Sequence, residues 1–397
     1  WWNQVDVSSY VTVTTPNDPF DTEPAANQQL VNGNKTFSLN PCLAISTWNA
    51  KAEGTGYKTY TTGDIDVVPD TTTVKLQILV PSEKADPGSS TGKKDSVVDQ
   101  TAGTSFNVTV NVVDVRHNLI KTINPLITIK TTDKYDTEPA DESTTNGTKV
   151  FPVTLVTAAT AQVSAFDVDG TNPDCAASTS PVITVNVGAA TKLQIIVPGE
   201  TEEPGSKQGR TGEPQKQGAG TAFTTRVNIT DANWNKATTV NTKVRLKTTD
   251  PNDADPFPDA NGKSTTDGTV NIDVKFVTKG TWTITAEDVN GTYTSTTTKG
   301  ILVGAAPPSR LLVIVPDQIN DVGDSSDGRT GTIKTQTAGL KFIATVYSTD
   351  ELWNVSANTW TVNVQLASDD QFDVHPSSQP LNDGTTIFYV TLVTQRS

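Results

Sequence analysis

The sequence of 397 residues contains no methionine, only two cysteines and only two histidines. Without a methionine it does not include its own translation start, so we expect a processed or partial product. No apolar run reaches the roughly 18 residues that a membrane-spanning helix needs, which predicts no membrane insertion. The formal net charge of -14 repels phosphate backbones and predicts no binding to nucleic acid.

Histidine and cysteine are too scarce for most nucleophilic active sites. A Ser-His-Asp or Cys-His arrangement would have to use His117 or His375, the two histidines of the chain. His117 occupies a turn position that holds tryptophan elsewhere in the sequence, which predicts that it packs over a loop. Carboxylates are plentiful, but none stands in a context that singles out a glycosidase pair. We therefore predict no catalytic residue and no enzymatic activity.

The composition favours strands and turns. Hydrophobic residues make up 34% of the chain and charged residues 19%, and the remainder is dominated by Thr, Asn, Gly, Pro and Ser. Several short segments alternate apolar and polar residues, for example Phe223, Val227 and Ile229 on one face of a predicted strand. This pattern predicts an all-β fold.

A domain-sized repeat organises the chain. The segment KLQILVP at 75–81 returns as KLQIIVP at 192–198 and as RLLVIVP at 310–316. Each copy is followed by a Gly-rich stretch of about twenty residues, interpreted either as a subunit contact or as an exposed flexible loop. Tight-turn dipeptides recur before another alternating strand, which in the first unit carries Phe37 and Leu39; the dipeptides stand at Asn32-Gly33, Asn146-Gly147, Asp267-Gly268 and Asp383-Gly384.

These repeats predict four antiparallel β-sandwich domains of immunoglobulin-like type. Their predicted ranges are 1–70, 74–188, 191–304 and 309–397. The first range lacks the opening strands of the others and the last lacks the closing strands. Trp2 and Asn3 match Trp234-Asn235 and Trp353-Asn354, so the first range starts at the turn that follows the second strand of a complete domain.

The motifs TRVNITDANWNK at 225–236 and DGTVNIDVKFVTKGTWTITAEDV at 267–289 carry a family resemblance. They resemble the bacterial Ig-like repeats of invasin and intimin type surface proteins, with a D-A-N-x-N turn and a T-x-T-x-T-A strand. The chain departs from that pattern in its Gly-rich insertion and in having tryptophan in the turn. The resemblance implies tandem Ig-like domains arranged as an elongated rod, exported to the cell surface and without catalytic activity.

The predicted function is therefore structural. We expect a subunit of an extracellular bacterial surface filament, stalk or similar assembly that self-associates with identical chains, with head-to-tail strand complementation as one way of joining them. The alternatives are an adhesin module that recognises a glycan or another ligand on a host or cell surface, and a surface-layer lattice protein.

Acidic loops are the candidate ligand sites. A carboxylate cluster follows the third strand of each domain, and calcium takes six to eight oxygens from such flexible loops. The candidate calcium ligands are Asp133, Asp136, Glu138, Asp141, Asp250, Asp253, Asp255 and Asp259. The alternative is an ordinary turn, in which Asp side chains accept hydrogen bonds from nearby backbone N–H groups. No other cofactor is predicted.

The two cysteines belong to different predicted domains, Cys42 to the first and Cys175 to the second. Each domain is therefore expected to fold without an internal disulfide. The thiols could bridge domains or neighbouring chains in an oxidising space, or stay unpaired.

Overall fold

The computed structural model describes residues 3–168, 170, 173–324, 326–357 and 362–395. It is all-β throughout that part of the chain, which contains no helix that could cross a membrane. The chain divides into two compact units, Trp1–Gly188 and Ala189–Ser397. Each unit contains two of the predicted domains, and we name the ranges 1–70, 74–188, 191–304 and 309–397 repeats 1 to 4.

The first unit holds a small and a large set of strands. Those of repeat 1 are β1 (Tyr10–Thr14), β2 (Gln28–Gln29), β3 (Lys51–Glu53) and β4 (Tyr60–Thr61). Those of repeat 2 are β5 (Lys75–Leu79), β6 (Lys84–Ala85), β7 (Lys93–Lys94), β8 (Gln100–Thr101), β9 (Phe106–Val113), β10 (Leu126–Thr131), β11 (Glu142–Ser143), β12 (Thr148–Val153), β13 (Thr160–Ala161), β14 (Val163–Asp167), β15 (Ser178–Thr179) and β16 (Ile183–Asn186).

The second unit repeats that plan. Repeat 3 contains β17 (Lys192–Ile196), β18 (Glu200–Glu202), β19 (Arg210–Gly212), β20 (Gln217–Gly218), β21 (Phe223–Thr230), β22 (Lys243–Thr248), β23 (Lys263–Ser264), β24 (Thr269–Val274), β25 (Gly280–Trp282), β26 (Ile284–Asp288), β27 (Thr296–Thr297) and β28 (Ile301–Gly304). Repeat 4 contains β29 (Arg310–Ile314), β30 (Ile319–Asn320), β31 (Arg329–Thr330), β32 (Lys341–Thr349), β33 (Asn363–Val364), β34 (Gln379–Pro380) and β35 (Thr385–Thr391).

Repeats 2 and 3 have the same sheets. In repeat 3 the order β17-β21-β24 forms one antiparallel sheet and β23-β22-β26-β27 forms another, while β28 joins β20 in parallel and β25 antiparallel. Repeat 2 has the corresponding sheets β5-β9-β12, β11-β10-β14-β15 and β13-β16-β8. One apolar core lies inside each of these repeats, and the predicted inward faces of β9 and β21 are buried in them. The sandwich prediction is confirmed.

The predicted hairpin turns are also confirmed. Both residues of each Asn-Gly or Asp-Gly pair have a positive φ, between 48° and 78°, as a two-residue turn of type I′ requires. A Gly is needed at the second position because a Cβ on Gly147 would lie 2.1 Å from the Ile120 carbonyl oxygen. A Cβ on Gly33 would likewise lie 2.0 Å from the Val5 carbonyl oxygen. Residues 3–7 of repeat 1 therefore occupy the place that residues 118–122 occupy in repeat 2.

One strand prediction is wrong. Residues 35–40, with Phe37 and Leu39, alternate like a strand but form none. The corresponding strands β12, β24 and β35 pair with β9, β21 and β32. The described part of repeat 1 contains no strand equivalent to β9, so the backbone of residues 35–40 has no neighbour with which to pair.

Candidate functional site

The candidate site is the joint between consecutive repeats, which occurs once inside each unit. At the joint of the first unit, Asn118 of repeat 2 reaches the loop at Cys42–Ala44 of repeat 1. Its side-chain amide donates to the Cys42 carbonyl at 2.9 Å, and its Oδ1 accepts from the Ala44 N–H at 2.9 Å. Asn118 is only 5% exposed, so both hydrogen bonds are shielded from water.

The joint of the second unit has the same geometry. The amide of Asn354 in repeat 4 donates to the Val277 carbonyl of repeat 3 at 2.9 Å, and its Oδ1 accepts from the Lys279 N–H at 2.7 Å. In both joints one asparagine bonds a carbonyl and the N–H two residues further on, as an added β-strand would. Because only backbone atoms are contacted, the joint works with Cys, Leu and Ala in one loop and with Val, Thr and Lys in the other.

A buried aspartate orients each joint asparagine. Asp350 is 0% exposed and accepts from both the backbone N–H and the side-chain amide of Asn354. It also accepts from the N–H of Leu352 and from the N–H of Ala306, in the segment that connects repeats 3 and 4, both at 2.9 Å. Asp114 does the same in the first unit, where it bonds Asn118 and the N–H of Asp70. In the motif Asp-x-x-x-Asn, the aspartate thus accepts from the connecting segment and also orients the asparagine, which bonds the loop of the preceding repeat.

A second aspartate holds the loop on the other side of the joint. Asp250 accepts from the N–H groups of Val277 and Thr278 at 2.7 and 2.8 Å, so that the Val277 carbonyl faces Asn354. We call Asp250 and its counterparts the clamp aspartates. All four bond the two consecutive N–H groups of their own repeat's loop: Asp18 with Cys42 and Leu43, Asp133 with Val156 and Thr157, Asp250 with Val277 and Thr278, and Asp370 with Val393 and Thr394.

The clamp aspartates Asp133 and Asp250 are the first carboxylates of the two predicted calcium loops. Asp133, Asp136 and Glu138 are brought together around Thr131, which donates its hydroxyl to Asp136 at 2.7 Å and its N–H to Glu138 at 2.9 Å. Asp250, Asp253 and Asp255 surround Thr248 in the same way. Asp141 is exposed apart from this group, and Asp259 accepts from the Asn261 N–H in a separate turn.

N–H and O–H donors already occupy most of these carboxylate oxygens, and Glu138 Oε2 is a buried oxygen without a donor in the part of the chain that the structure describes. Among the described residues no group of three or more His, Cys, Asp and Glu side chains is placed to hold a metal ion. Calcium binding stays a prediction, and the geometry assigns the loops a role in the joint.

The carboxyl groups beside the clamp have unusual proton affinities. Burial raises the pKa of Asp136 to about 6, with the negative charges of Glu138 and Asp133 adding to the effect. Burial and the neighbouring Asp250 and Asp255 raise the pKa of Asp253 to about 6 as well. Burial also acts to raise the pKa of Asp133, but its hydrogen bonds from Thr157, Tyr135 and Val156 outweigh this and the pKa is lowered.

These shifts predict a gain in stability on mild acidification. A carboxyl group with a folded pKa of about 6 and an unfolded pKa of about 3.9 binds its proton more tightly in the native state, so stability rises as the pH falls from 7 to about 5. We expect about 1 kcal/mol from Asp136, measured by urea unfolding, and loss of that gain in Asp136→Asn. Asp141→Asn, in the same loop, should keep the wild-type pH profile.

The Gly-rich stretches form the third part of the joint. Each contains a short hairpin, β6-β7, β18-β19 or β30-β31, so the stretch is not a loop along its whole length. In the first unit the ring of Phe20 in repeat 1 lies against Gly88 of this stretch, 2.8 Å from the position of a Cβ. In the second unit the amide of Asn252 donates to the Val322 carbonyl at 2.8 Å and lies against Gly323. The hairpin of each following repeat therefore contacts the acidic loop of the repeat before it.

An aromatic turn residue fixes each hairpin. His117, Trp234 and Trp353 precede the asparagine of the turn, have φ values of 63° to 67°, and lie directly over a glycine of the hairpin. Hydrogen bonds also hold the backbone of the hairpin. For example, the side-chain amide of Gln194 donates to the Gly209 carbonyl at 2.6 Å. The predicted packing role of His117 is confirmed.

A methyl group on Gly209 should disturb this packing. Gly209→Ala would place a Cβ 2.3 Å from the Trp234 ring in addition to the strain of a φ of +71°, and we expect a loss of about 2 kcal/mol in urea unfolding. Gly291 has a similar φ of +70° with open space around it, so Gly291→Ala should cost about 1 kcal/mol. Equal losses in the two variants would contradict the ring contact.

The cysteines take part in no disulfide. Cys42 and Cys175 are both buried, and their thiols donate to the carbonyls of Asn40 and Pro173. Cys42 contributes to the joint of the first unit only through its backbone, by accepting from Asn118 and donating to Asp18. Trp2, matched to the aromatic turn residue by sequence, lies outside the described residues.

No family model and no curated protein matches the chain. Solved structures do resemble it. The Escherichia coli adhesin FdeC matches with a TM-score of 0.28 and 13% identity over 82% of this chain and 90% of that chain. Domains 1–6 of the surface layer protein SbsC match with a TM-score of 0.21 and 13% identity, over 100% of this chain and 54% of that chain. The fibronectin(III)-like modules of Clostridium thermocellum CbhA match with a TM-score of 0.17 and 15% identity, over 59% of this chain and 97% of that chain. Similarity at this level carries no functional argument.

Proposed function

We propose that this chain is a structural subunit of an extracellular bacterial surface filament, stalk or similar assembly, without catalytic activity of its own. The observation that carries the proposal is the repeated joint. Asn118 and Asn354 each bind the backbone of the preceding repeat, and Asp114 and Asp350 anchor the connecting segment to the same asparagine. The two joints use the same hydrogen bonds, and each involves several residues of both repeats. This is what we expect of a protein whose repeats have to stay attached to one another in order.

Self-association with identical chains is part of this proposal. Residues 35–40 of repeat 1 alternate apolar and polar residues like a strand but have no β-partner among the described residues, at the position where β12 pairs with β9 in repeat 2. A segment of this kind can pair with a strand that another molecule supplies. Strand addition at residues 35–40 would join one chain to the next.

Electron microscopy and sedimentation of the purified chain test the proposal. We expect ordered polymers that grow with protein concentration, and no turnover of glycan or peptide substrates. A chain that stays monomeric at every concentration, or that hydrolyses such a substrate, would contradict a structural subunit.

Adhesion is the second candidate function. Repeat 3 has an open crevice of about 490 Å³ beside Trp234, with Lys207, Arg210 and Lys299 among its lining residues. Arg210 pairs with Glu200 and Lys299 pairs with Glu213, so Lys207 supplies the net positive charge with which the crevice would favour an anionic glycan. Binding of the monomer to sialylated or sulfated glycans, lost in Lys207→Ala, would favour this candidate over the structural one.

A further inference from the structure

Strand β35 of repeat 4 forms a free edge of its sheet. It is the last strand in the order β29-β32-β35, so one side of its backbone bonds β32 and the other has no strand beside it among the described residues. The free edge belongs to the fold. In repeat 3, where the later strands and the following repeat are both described, the equivalent strand β24 is also the last of its sheet, and its outward residues Asn271 and Asp273 stay exposed.

The equivalent edges of repeats 2 and 3 carry residues that hinder pairing with a further strand. β12 contains Pro152, which has no N–H to donate, and the charged Lys149. β24 contains the charged Asp273, and the Lys263 ammonium donates to its Asn271 carbonyl at 3.0 Å. Proline and charge on an exposed edge prevent the edges of two molecules from joining.

Strand β35 has no such residue. Its sequence, TTIFYVT, contains no charge, proline or glycine, and every residue is β-branched or aromatic. Counted from the Asp-Gly turn of each repeat, Ile387 stands where β24 has Asn271. Tyr389 stands where β24 has Asp273. Ile387 and Tyr389 are 48% and 56% exposed, and Phe388 between them is buried, so the outward side of this edge is apolar.

We infer that β35 pairs antiparallel with β35 of a second copy, which joins the sheets of two chains into one. A self-contact sets a strand against its own sequence, so a charged strand would bring like charges together, and β35 carries none. With Phe388 at the two-fold axis, Ile387 of each chain lies opposite Tyr389 of the other, and such aromatic and β-branched pairs stabilise sheets. The Lys341 ammonium, 5.5 Å from the Tyr389 ring, belongs to β32 on the paired side of the strand.

The contact is isologous, so it closes after two chains and does not extend into a filament by itself. It rests on the proposed self-association and adds a lateral interface to it, separate from residues 35–40. Filaments built by head-to-tail joining would therefore lie side by side in pairs, held through repeat 4.

Disulfide trapping tests the contact in the full chain. With Cys42 and Cys175 replaced by Ala, the double variant Ile387→Cys and Tyr389→Cys should oxidise to a covalent dimer that reducing agent dissolves. The matched control, Asn271→Cys and Asp273→Cys, uses the equivalent exposed positions of β24 and should stay monomeric. A dimer yield no higher than that of the control would overturn the inference.

Sedimentation of single variants gives a second measurement. Tyr389→Asp and Tyr389→Pro give β35 the residues that β24 and β12 have at this position, so both variants should fold like the wild type. Each should weaken dimerisation in the soluble fraction at least tenfold. Leu302→Asp puts the same charge on an exposed residue of β28, which lies between β20 and β25 and offers no edge, so it should dimerise like the wild type.

Electron microscopy separates this interface from the proposed function. Paired filaments in the wild type and single filaments in Tyr389→Asp would support both. Single filaments in the wild type, or wild-type dimerisation in both Tyr389 variants, would overturn the β35 contact and leave the structural function intact. A wild-type chain that never associates would overturn both.

Discussion

Asp133→Ala is expected to destabilise repeat 2 by about 3 kcal/mol. The substitution leaves the N–H groups of Val156 and Thr157 and the Thr157 hydroxyl without the carboxylate that accepts them at 2.7 to 2.8 Å. Hydrogen bonds to a charged acceptor contribute about 1.5 to 3 kcal/mol each, and part of this is recovered by water entering the loop. Thermal unfolding should show the loss as a fall on the order of 10 °C in the corresponding transition.

Asp141→Ala is the matched control, because Asp141 belongs to the same acidic loop and is exposed. It should unfold like the wild type. Millimolar calcium should leave the unfolding temperature of the wild type unchanged if the loop serves the joint. A rise in unfolding temperature with calcium that both aspartate variants abolish would instead establish the loop as a calcium site.

Asn354→Ala is expected to uncouple repeats 3 and 4. It removes the hydrogen bonds to Val277 and Lys279 and leaves Asp350, a carboxylate with no exposed surface, without its contact from the Asn354 side-chain amide. Leaving such a buried group underbonded costs about 3 kcal/mol. Calorimetry should show repeat 4 unfolding at a lower temperature than repeat 3, in a separate transition.

Asn271→Ala provides the comparison for this prediction. Asn271 is an exposed residue of β24 and makes none of the joint hydrogen bonds described above, so its loss should leave the calorimetric profile unchanged. If Asn354→Ala unfolded with the wild-type profile, the amide would not hold the repeats together.

The β-sandwich could be predicted because the apolar residues of each alternating segment are the ones whose side chains are buried in the structure. Strand β9 alternates Phe106, Val108, Val110 and Val112 with polar residues, and the four apolar side chains are all buried. The Asn-Gly and Asp-Gly turns need only two residues to specify their backbone. Residues 35–40 show the limit of the pattern, because an alternating segment forms a strand only when a neighbour supplies its hydrogen bonds.

The joint could not be predicted in the same way. Asp114 and Asn118 look like ordinary turn residues, and the partner of Asn118 is the backbone of Cys42 and Ala44, more than seventy positions earlier. Likewise, the carboxylate of Asp133 meets its donors more than twenty residues further along the chain. The recurrence of Asp-x-x-x-Asn in repeats 2 to 4 was the available signal, and it indicated importance without indicating the contact.

Hydrogen–deuterium exchange at the amides of Ala44 and Lys279 tests the central claim most directly. Both N–H groups belong to loops, and each donates to the asparagine of the following repeat. If the asparagines join the repeats, these two amides should exchange as slowly as those of the core strands β9 and β21. Exchange at the rate of an exposed loop at either position would contradict the joint.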